Sequence, residues 1–398
     1  MTTEKKKTHW TFELDSDELA WLRFDKIDAG TNVLSAEVMA DLHERLSEIE
    51  AASPKAVIVY SGKRKGFIAG ADIKEFTGLD SPEQAFDLVR KGQHVLDRLE
   101  ALPCPTIALI NGFALGGGLE LALACRYRIS VDDPKAVMGL PEVKLGIHPG
   151  FGGTVRSVAL VGVFAAMDMM LTGRNIRPKQ AYRMGLVDQI VPARHLRRAG
   201  RMMAMKPPAA RRPSTKERLL SLGPVRGIVA SLLSKQVAKK ARRDHYPAPY
   251  AIIDLWRRHA DDPAGMYVAE ARSIASLMCS DTSRNLVRVF LLQDRMKALA
   301  TGKAHQFGHI HVVGAGVMGG DIAAWCALRG LTVTLEDRAP EFIGPAIKRA
   351  QKLFQRKLRE PRLVQAAMDR LMPDVDGTGV PRADVVIEAI FENAEAKR

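Results

Sequence analysis

The 398-residue chain has few cysteines and few aromatic residues. No two cysteines form a CxxC pair, which argues against a disulfide framework and against a zinc site, so no bound metal is expected. Such cysteine usage is typical of a reducing compartment, and we expect a cytoplasmic protein. Aromatic residues make up 6%, hydrophobic residues 46% and charged residues 26%, a composition that excludes collagen-like and wholly disordered chains. The cysteines are Cys104, Cys125, Cys279 and Cys326.

The chain also lacks a long uninterrupted apolar run. Residues 1–10 contain three consecutive lysines and no apolar segment of the kind found in a signal peptide. The longest apolar stretch, Pro105 to Cys125, is interrupted by Asn111, Glu120 and three consecutive glycines. A membrane helix needs about 20 mainly apolar residues. We therefore expect a soluble protein with no membrane span.

Acidic residues are scarce in one segment. Between Arg194 and Asp244, fifteen Lys and Arg stand against two acidic residues, a net +13, whereas the whole chain carries +14. Three interpretations remain open: solvated helices with a linker, a surface for anionic ligands such as nucleotide phosphates, and a nucleic-acid or membrane surface. No aromatic-interleaved binding motif accompanies the segment, so nucleic acid is not the expected partner. A non-catalytic interaction protein or an RNA-binding protein that uses this segment is the alternative function.

The N-terminal half has the pattern of an α/β fold. From residue 10 to about 190, short apolar runs such as 56–60 and 106–110 predict strands. Amphipathic helices are predicted at 35–49 and 83–102, the second with Ser81 as its cap. Further along, residues 268 to 300 have a longer helical pattern.

A glycine-rich turn, Gly116-Gly117-Gly118, follows an apolar run and precedes a helix that contains Glu120. Glycines at a helix start let backbone N–H groups approach a ligand closely, and the helix end adds a positive partial charge. Such a site suits a developing oxyanion. A turn of small residues used only for packing has the same appearance.

Two further segments accompany this turn: FIAGADIKEF at 67–76 and GLPEVKLGIHPGFGG at 139–153. Together the three motifs resemble those of the enoyl-CoA hydratase (crotonase) superfamily, in the same order and spacing, over residues 10 to 195. The resemblance implies that the chain hydrates trans-2-enoyl-CoA to 3-hydroxyacyl-CoA in fatty-acid β-oxidation, with the coenzyme A thioester as substrate. It also implies a Δ3–Δ2-enoyl-CoA isomerase side activity.

The same resemblance implies a role for individual residues. Glu120 and Glu142 match the two catalytic carboxylates, Glu120 orienting and activating a water and Glu142 exchanging a proton at C2. Two carboxylates on one water can supply both proton transfers. The backbone amides of Ala71 and Gly117 match the pair that holds the thioester oxygen, which stabilises an enolate-like transition state. The remaining substrate-binding positions are Ala69, Asp72 and Lys74.

A second glycine pattern begins at Gly314, after an apolar strand, and opens another helix. The next predicted strand ends in an acidic residue, Asp337, 23 positions after Gly314, close to the spacing of about 20 found in dinucleotide-binding units. In such a unit, Gly314 would form the turn and Gly316 would leave room for the pyrophosphate. Gly319 would allow close packing of the helix, and Asp337 would bind the ribose hydroxyls. The acid favours NAD over NADP, and a βαβ unit used only for packing is the alternative.

Residues 383–398 resemble the next segment of the NAD-binding domain of 3-hydroxyacyl-CoA dehydrogenases. Hydratase followed by dehydrogenase is the order found in alpha subunits of bacterial fatty-acid oxidation complexes, so a thiolase beta subunit is an implied partner and a homo-oligomer another. In that family the dehydrogenase continues, with its catalytic histidine, past the position of Arg398. We therefore expect an incomplete NAD site and an inactive dehydrogenase part. The implied cofactor-binding residues are Gly314, Gly316, Met318, Gly319, Asp337, Glu392 and Lys397.

The length suits two or three domains. The sequence predicts an α/β chain with a crotonase (ClpP-like) domain at 1–193. A basic helical region and linker follow at 194–306, and the first half of a Rossmann NAD-binding domain at 307–398.

Overall fold

The computed structural model describes residues 8–76, 78–79, 81–210, 220, 223–299, 307–395 and 397. The chain forms two compact units, residues 1–295 and 296–398. Most of the segment 194–306 lies in the first unit, and the division into three domains stays a prediction. Within the described ranges, no helix is both long enough and apolar enough to cross a membrane.

The first unit alternates short strands and helices. Its strands are β1 (Trp10–Leu14), β2 (Leu19–Phe24), β3 (Ala56–Ser61), β4 (Gly66–Ile68), β5 (Thr106–Ile110), β6 (Phe113–Leu115), β7 (Tyr127–Val131), β8 (Met138–Gly139) and β9 (Gln189–Val191). Its helices up to residue 205 are α1 (Ala36–Ala52), α2 (Ile73–Phe76), α3 (Pro82–Ala101), α4 (Gly117–Ala124), α5 (Gly153–Val161), α6 (Val163–Thr172), α7 (Pro178–Met184) and α8 (Leu196–Met205). Further helices are α9 (Gly223–Ala238), α10 (Ala248–His259), α11 (Pro263–Met278) and α12 (Asp281–Leu299).

Two sheets organise this unit. The larger has the order β1-β2-β3-β5-β7-β9 and is parallel except for the antiparallel pair β1–β2. The smaller is the parallel sheet β4-β6-β8. Every residue of β5 and β7 is buried, as expected for parallel strands covered on both faces. The end of β6 leads directly into the glycine-rich turn before α4.

Local signals in the sequence explain where several helices begin. The side chain of Ser35 accepts a hydrogen bond from the Val38 amide at the start of α1, and Ser81 does the same for Gln84 at the start of α3. These starts confirm the sequence prediction. The helical pattern over 268–300 corresponds to two separate helices, α11 and α12. Ser280 separates them: its hydroxyl donates to the Leu277 carbonyl (2.6 Å) and accepts from the Ser283 amide (3.3 Å).

The helical region after residue 194 packs onto the preceding α/β fold. In one apolar cluster, Val89 of α3 and Ile147 join Ile274 and Met278 of α11. Such a cluster keeps apolar area from water and fixes α11 against the loops that precede α5. The helix is therefore part of the first unit's core.

Several arginines of the segment 194–244 have partners within the first unit. The Arg197 guanidinium lies 4.9 Å from the ring centroids of both Trp21 and Tyr60. Other arginines form ion pairs with carboxylates, and this pairing favours a packed, solvated helical region over an open binding surface. The ion pairs are Arg201 with Asp15 and Asp17, Arg226 with Asp261, Arg242 with Asp244, and Arg243 with Asp254.

The second unit is a parallel sheet with helices. Its elements are β10 (His309–Val313), α13 (Val317–Leu328), β11 (Thr332–Glu336), α14 (Pro340–Lys357), α15 (Pro361–Asp369), β12 (Leu371–Asp374) and β13 (Val385–Glu388). The strand order is β12-β11-β10-β13, and all neighbours are parallel. In chain order this is 3-2-1-4, the arrangement at the centre of doubly wound dinucleotide-binding sheets. The α/β class predicted from the sequence is confirmed in both units.

Candidate active site

The turn before α4 requires glycine at two positions. Gly116 has φ +52°, and a Cβ there would lie 3.0 Å from Oε1 of Glu142. A Cβ on Gly118 would lie 2.5 Å from the Ile68 carbonyl oxygen, closer than two such atoms approach. These glycines let α4 begin against β4, which places Glu120, in the first turn of the helix, beneath the turn.

The Glu120 carboxyl is held from one side. Its Oε1 accepts hydrogen bonds from the amides of Phe151 (2.7 Å) and Gly153 (2.8 Å), and the residue is only 2% exposed. Burial raises the pKa of Glu120 well above its ordinary value, and the nearby Glu142 and Glu270 carboxylates raise it further. The two amides oppose this shift in part. Oε2 is left to bind a ligand or a water.

Glu142 opens a 3-10 turn, Glu142–Leu145, and presents an unpartnered carboxyl. Both of its carboxyl oxygens are buried, and neither has a hydrogen-bond partner among the residues that the structure describes. Burial raises the pKa of Glu142 to about 8, and the charge of Glu270 contributes. Glu142 therefore carries a proton at neutral pH, as a general acid must.

Two backbone amides face the same space as the carboxyls. Ala71 forms an isolated parallel bridge with Leu34, and Gly117 is the first residue of α4. A Cβ placed on Gly117 would lie 3.5 Å from the Ala71 nitrogen, so the two amides are close neighbours. Within the described ranges, neither amide donates a backbone hydrogen bond. This pair can receive an oxyanion.

The two carboxyl residues and the two amide residues all line one cavity of about 110 Å³. Ala69, Ala71, Gly117, Glu120 and Glu142, five of the residues predicted from the sequence, all line it. Its other wall is apolar, so a bound thioester would lose most of its contact with water. The apolar lining includes Phe76, Leu88, Val89, Ile147, Ile274 and Met278.

Asp72 and Lys74 lie outside the residues that line the cavity. Asp72 Oδ1 accepts from the Lys74 amide at 3.1 Å, and Oδ2 lies 3.4 Å from the Lys26 ammonium. These contacts order the short helix α2. A role of Asp72 and Lys74 in substrate binding stays a prediction.

Sequence reasoning missed Glu270, a third buried carboxylate close to Glu120. It lies on α11 and is fully buried. A signal was available, because Glu270 is four residues from both Met266 and Ile274, which are buried on the same helix. An acid on the apolar face of a helix needs hydrogen-bond partners.

His148 also lines the cavity but is engaged on both ring nitrogens. Nδ1 lies 2.7 Å from the Pro149 carbonyl oxygen and Nε2 lies 2.8 Å from the Ser273 hydroxyl. Burial lowers its pKa to about 4, so the ring is neutral at pH 7. We assign it no catalytic role.

In the second unit, the three glycines of the predicted dinucleotide motif occupy positions with different steric requirements. Gly314 has φ +102°, and a Cβ there would lie 2.8 Å from the Ala389 carbonyl oxygen. A Cβ on Gly319 would lie 1.9 Å from the Gly314 carbonyl oxygen, so α13 can begin this close to the turn only with glycine. A Cβ on Gly316 would meet no atom within 4 Å, so this position is open for a ligand. The glycine pattern fits a dinucleotide pyrophosphate at the N-terminus of α13.

The acid predicted for the ribose lies beside this turn. Asp337 Oδ2 accepts from the Ala315 amide at 2.8 Å, and β11 and β10 are neighbours in the sheet. Met318 is exposed on the first turn of α13. The Lys397 ammonium contacts Glu388 (3.0 Å) and Glu392 (2.8 Å), so the structure brings two more predicted residues together as an ion pair.

Comparison with known proteins agrees with this geometry. Residues 19–217 match the family model "Enoyl-CoA hydratase/isomerase", and residues 309–398 match "3-hydroxyacyl-CoA dehydrogenase, NAD binding domain". The first match covers half of the chain, and the chain belongs to the enoyl-CoA hydratase/isomerase family. The predicted fold class and enzyme class are thereby confirmed.

The chain is also similar to several individual proteins. A fatty acid oxidation complex subunit alpha from Shewanella halifaxensis is 38% identical over 97% of this chain, and the chain spans 57% of that relative's length. The crystal structure of human mitochondrial delta3-delta2-enoyl-CoA isomerase is 25% identical, with a TM-score of 0.54 over 74% of this chain and 100% of that one. The enoyl-CoA hydratase from Bacillus anthracis is 29% identical, with a TM-score of 0.47 over 72% of this chain and 97% of that one.

Proposed function

We propose that the first unit hydrates trans-2-enoyl-CoA thioesters to 3-hydroxyacyl-CoA thioesters. The observation that supports this most directly is one apolar cavity lined by two buried carboxyls and two adjacent free amides. Addition of water across a double bond conjugated to a thioester needs a base for the water, an acid for C2 and a site for the enolate oxygen. The two carboxyls match the first two needs, and the pair of amides matches the third.

The thioester oxygen would bind between the amides of Ala71 and Gly117. Glu120, in its ionised form and with Oε1 fixed by two amides, would hold the water through Oε2 and take a proton as the oxygen adds to C3. Glu142, protonated at neutral pH, would give its proton to C2, so that H and OH have been added across the bond. The proton on Glu120 then passes to Glu142, either directly or by exchange through solvent water, and both groups recover their starting states.

The test is the loss of the conjugated thioester absorbance of crotonyl-CoA. Glu120→Gln and Glu142→Gln should each lower kcat at least about 100-fold, because each removes one proton transfer. The control is Glu83→Gln on the exposed face of α3, which should retain the wild-type rate. Wild-type rates in both cavity variants would refute the mechanism.

Isomerisation of a 3-enoyl-CoA to the 2-enoyl-CoA is a second proposed activity of the same cavity. It needs only one group to move a proton from C2 to C4, and the carboxylate form of the unpartnered Glu142 is suited to this. We expect Glu120→Gln to lose hydration and to retain isomerisation of 3-hexenoyl-CoA. Loss of both activities in equal measure would contradict a separate role for Glu142.

For the second unit we propose NAD binding at the turn from Gly314 to Gly319, with Asp337 on the adenosine ribose. Bound NAD supplies a hydride acceptor for oxidation of a 3-hydroxyacyl group. Inactivity of the dehydrogenase part stays a prediction from the family resemblance. NADH formed after NAD is added to hydrated crotonyl-CoA would contradict it.

We also propose the partners that the resemblance implies, a thiolase beta subunit and a second copy of this chain. We propose that the protein acts in the reducing cytoplasm, and the free thiols of its four cysteines support this location. Co-purification with a thiolase tests the first partner, and light scattering tests the second.

A further inference from the structure

Alternate amides of one four-residue segment bind two different carboxylates. The first and third amides of segment 151–154 donate to Oε1 of Glu120, at 2.7 and 2.8 Å. The second and fourth donate to Glu270, at 2.6 and 3.0 Å. Because successive N–H groups of this segment point in opposite directions, the segment lies between the two carboxyls. Glu120 and Glu270 are thus coupled through shared backbone.

Glu270 is more completely held than Glu120. Its Oε1 also accepts from the Gln93 side chain at 3.0 Å, and its Oε2 accepts from the Thr154 hydroxyl. Gln93 in turn donates to the Gly150 carbonyl at 2.9 Å, just before the segment. A fully buried carboxylate with four donors is strongly localised. It connects α11 and α3 to the loop that holds Glu120.

We propose that Glu270 is a positioning residue: it fixes segment 151–154 so that Glu120 presents Oε2 to the water during hydration. The inference rests on the proposed hydratase function and deepens it. Glu270 lies outside residues 19–217, which match the family model, so the helical region supplies a part of the site. Glu270 does not line the cavity and would not touch the substrate.

The charge of Glu270 gives this role a signature in the pH profile. Like charges nearby make ionisation of the pair Glu120 and Glu142 less favourable, and Glu270 contributes to the raised pKa of both. Hydration requires ionised Glu120 and protonated Glu142, so kcat has an acidic and an alkaline limb. Removal of a negative neighbour lowers both pKa values and moves both limbs to lower pH. The charged or titratable groups that face this region are Asp97 and Glu100 on α3, Glu120 on α4, Glu142, His148, Arg156 on α5, and Tyr267 on α11.

The experiment measures kcat and KM for crotonyl-CoA against pH in three variants. Glu270→Gln should lower kcat about 10- to 100-fold, leave KM within about twofold, and move both limbs about one pH unit lower. Glu270→Asp retains the charge with a shorter reach, so kcat falls while the limbs stay in place. Asp97→Asn is the matched control: Asp97 reaches the segment only through Arg156, which donates to the Phe151 carbonyl and is still held by Glu100 in this variant. It should leave both limbs in place.

Three results would overturn the proposal. The first is a folded Glu270→Gln variant whose kcat and pH limbs are both unchanged. The second is an equal shift of the pH limbs in Glu270→Gln and Asp97→Asn. The third is a change in Glu270→Gln that affects only KM. If Glu270→Gln does not fold, Thr154→Val replaces it. That variant removes one donor and no charge, and it should lower kcat about fivefold at constant KM.

A second measurement separates this proposal from the hydratase function itself. An inactive wild type would refute the proposed function. Infrared difference spectra would then follow protonation of the Glu120 carboxyl, identified by its loss in Glu120→Gln. A titration that moves to lower pH in Glu270→Gln supports the coupling, and an unmoved titration overturns it.

Discussion

Glu142→Gln should stabilise the first unit at neutral pH even as it abolishes hydration. The pKa of Glu142 is about 8 in the folded protein, against an ordinary value of 4.5, because its carboxyl is buried. Between these values the folded chain retains a proton that the unfolded chain releases, so the free energy of unfolding falls as pH rises. At pH 7, about 2.5 pH units above the ordinary value, the loss is about 3 kcal/mol. Glutamine has the shape of the protonated acid and cannot ionise, so the variant avoids this loss.

Urea unfolding followed by tryptophan fluorescence measures the effect. Trp10, Trp21 and Trp256 are buried in the first unit and report on its unfolding. The variant should exceed the wild type by under about 1 kcal/mol at pH 5 and by about 3 kcal/mol at pH 7. Glu83→Gln on the exposed surface of α3 should change stability by less than about 0.5 kcal/mol at both pH values. The free energy of unfolding of Glu142→Gln could instead exceed that of the wild type by the same amount at pH 5 and pH 7. This result would mean that the pKa of Glu142 is not raised by folding, and it would refute the reasoning.

Three glycine and acid substitutions test the two sites further. Gly153→Ala places a Cβ 2.7 Å from Glu120 Oε1, so kcat for crotonyl-CoA should fall about 100-fold at similar KM; a wild-type kcat would contradict the assigned geometry. Gly319→Ala, whose Cβ would lie 1.9 Å from a backbone oxygen, should destabilise the second unit by over about 2 kcal/mol in thermal unfolding, whereas Gly316→Ala meets no atom and should not. Asp337→Ala should weaken NAD binding at least about tenfold by calorimetry and reduce the preference over NADP; equal affinity would remove Asp337 from the site.

The sequence predicted well what depends on residues close together in the chain. Ser81 caps α3 as predicted, and α1 begins next to Ser35, where a helix was predicted, because a side chain there can reach an amide only two or three residues away. The glycine turn before Glu120 and the turn at Gly314 could also be predicted from the sequence. In each, a positive φ or a close approach excludes every residue with a Cβ. The same locality explains why five of the predicted substrate-site residues line one cavity.

The tertiary structure decided what depends on distant parts of the chain. Glu270 reaches the segment beside Glu120 over a separation of more than 100 residues, and no local pattern specifies which loop a buried acid on α11 will meet. Similarly, the sequence left three interpretations open for the basic segment, and only packing showed aromatic rings and carboxylates against Arg197 and Arg201. Caps, turns and glycine motifs follow from short-range sterics and hydrogen bonding. Burial, pKa values and shared amides arise only when packing brings separate elements together and removes water from between them.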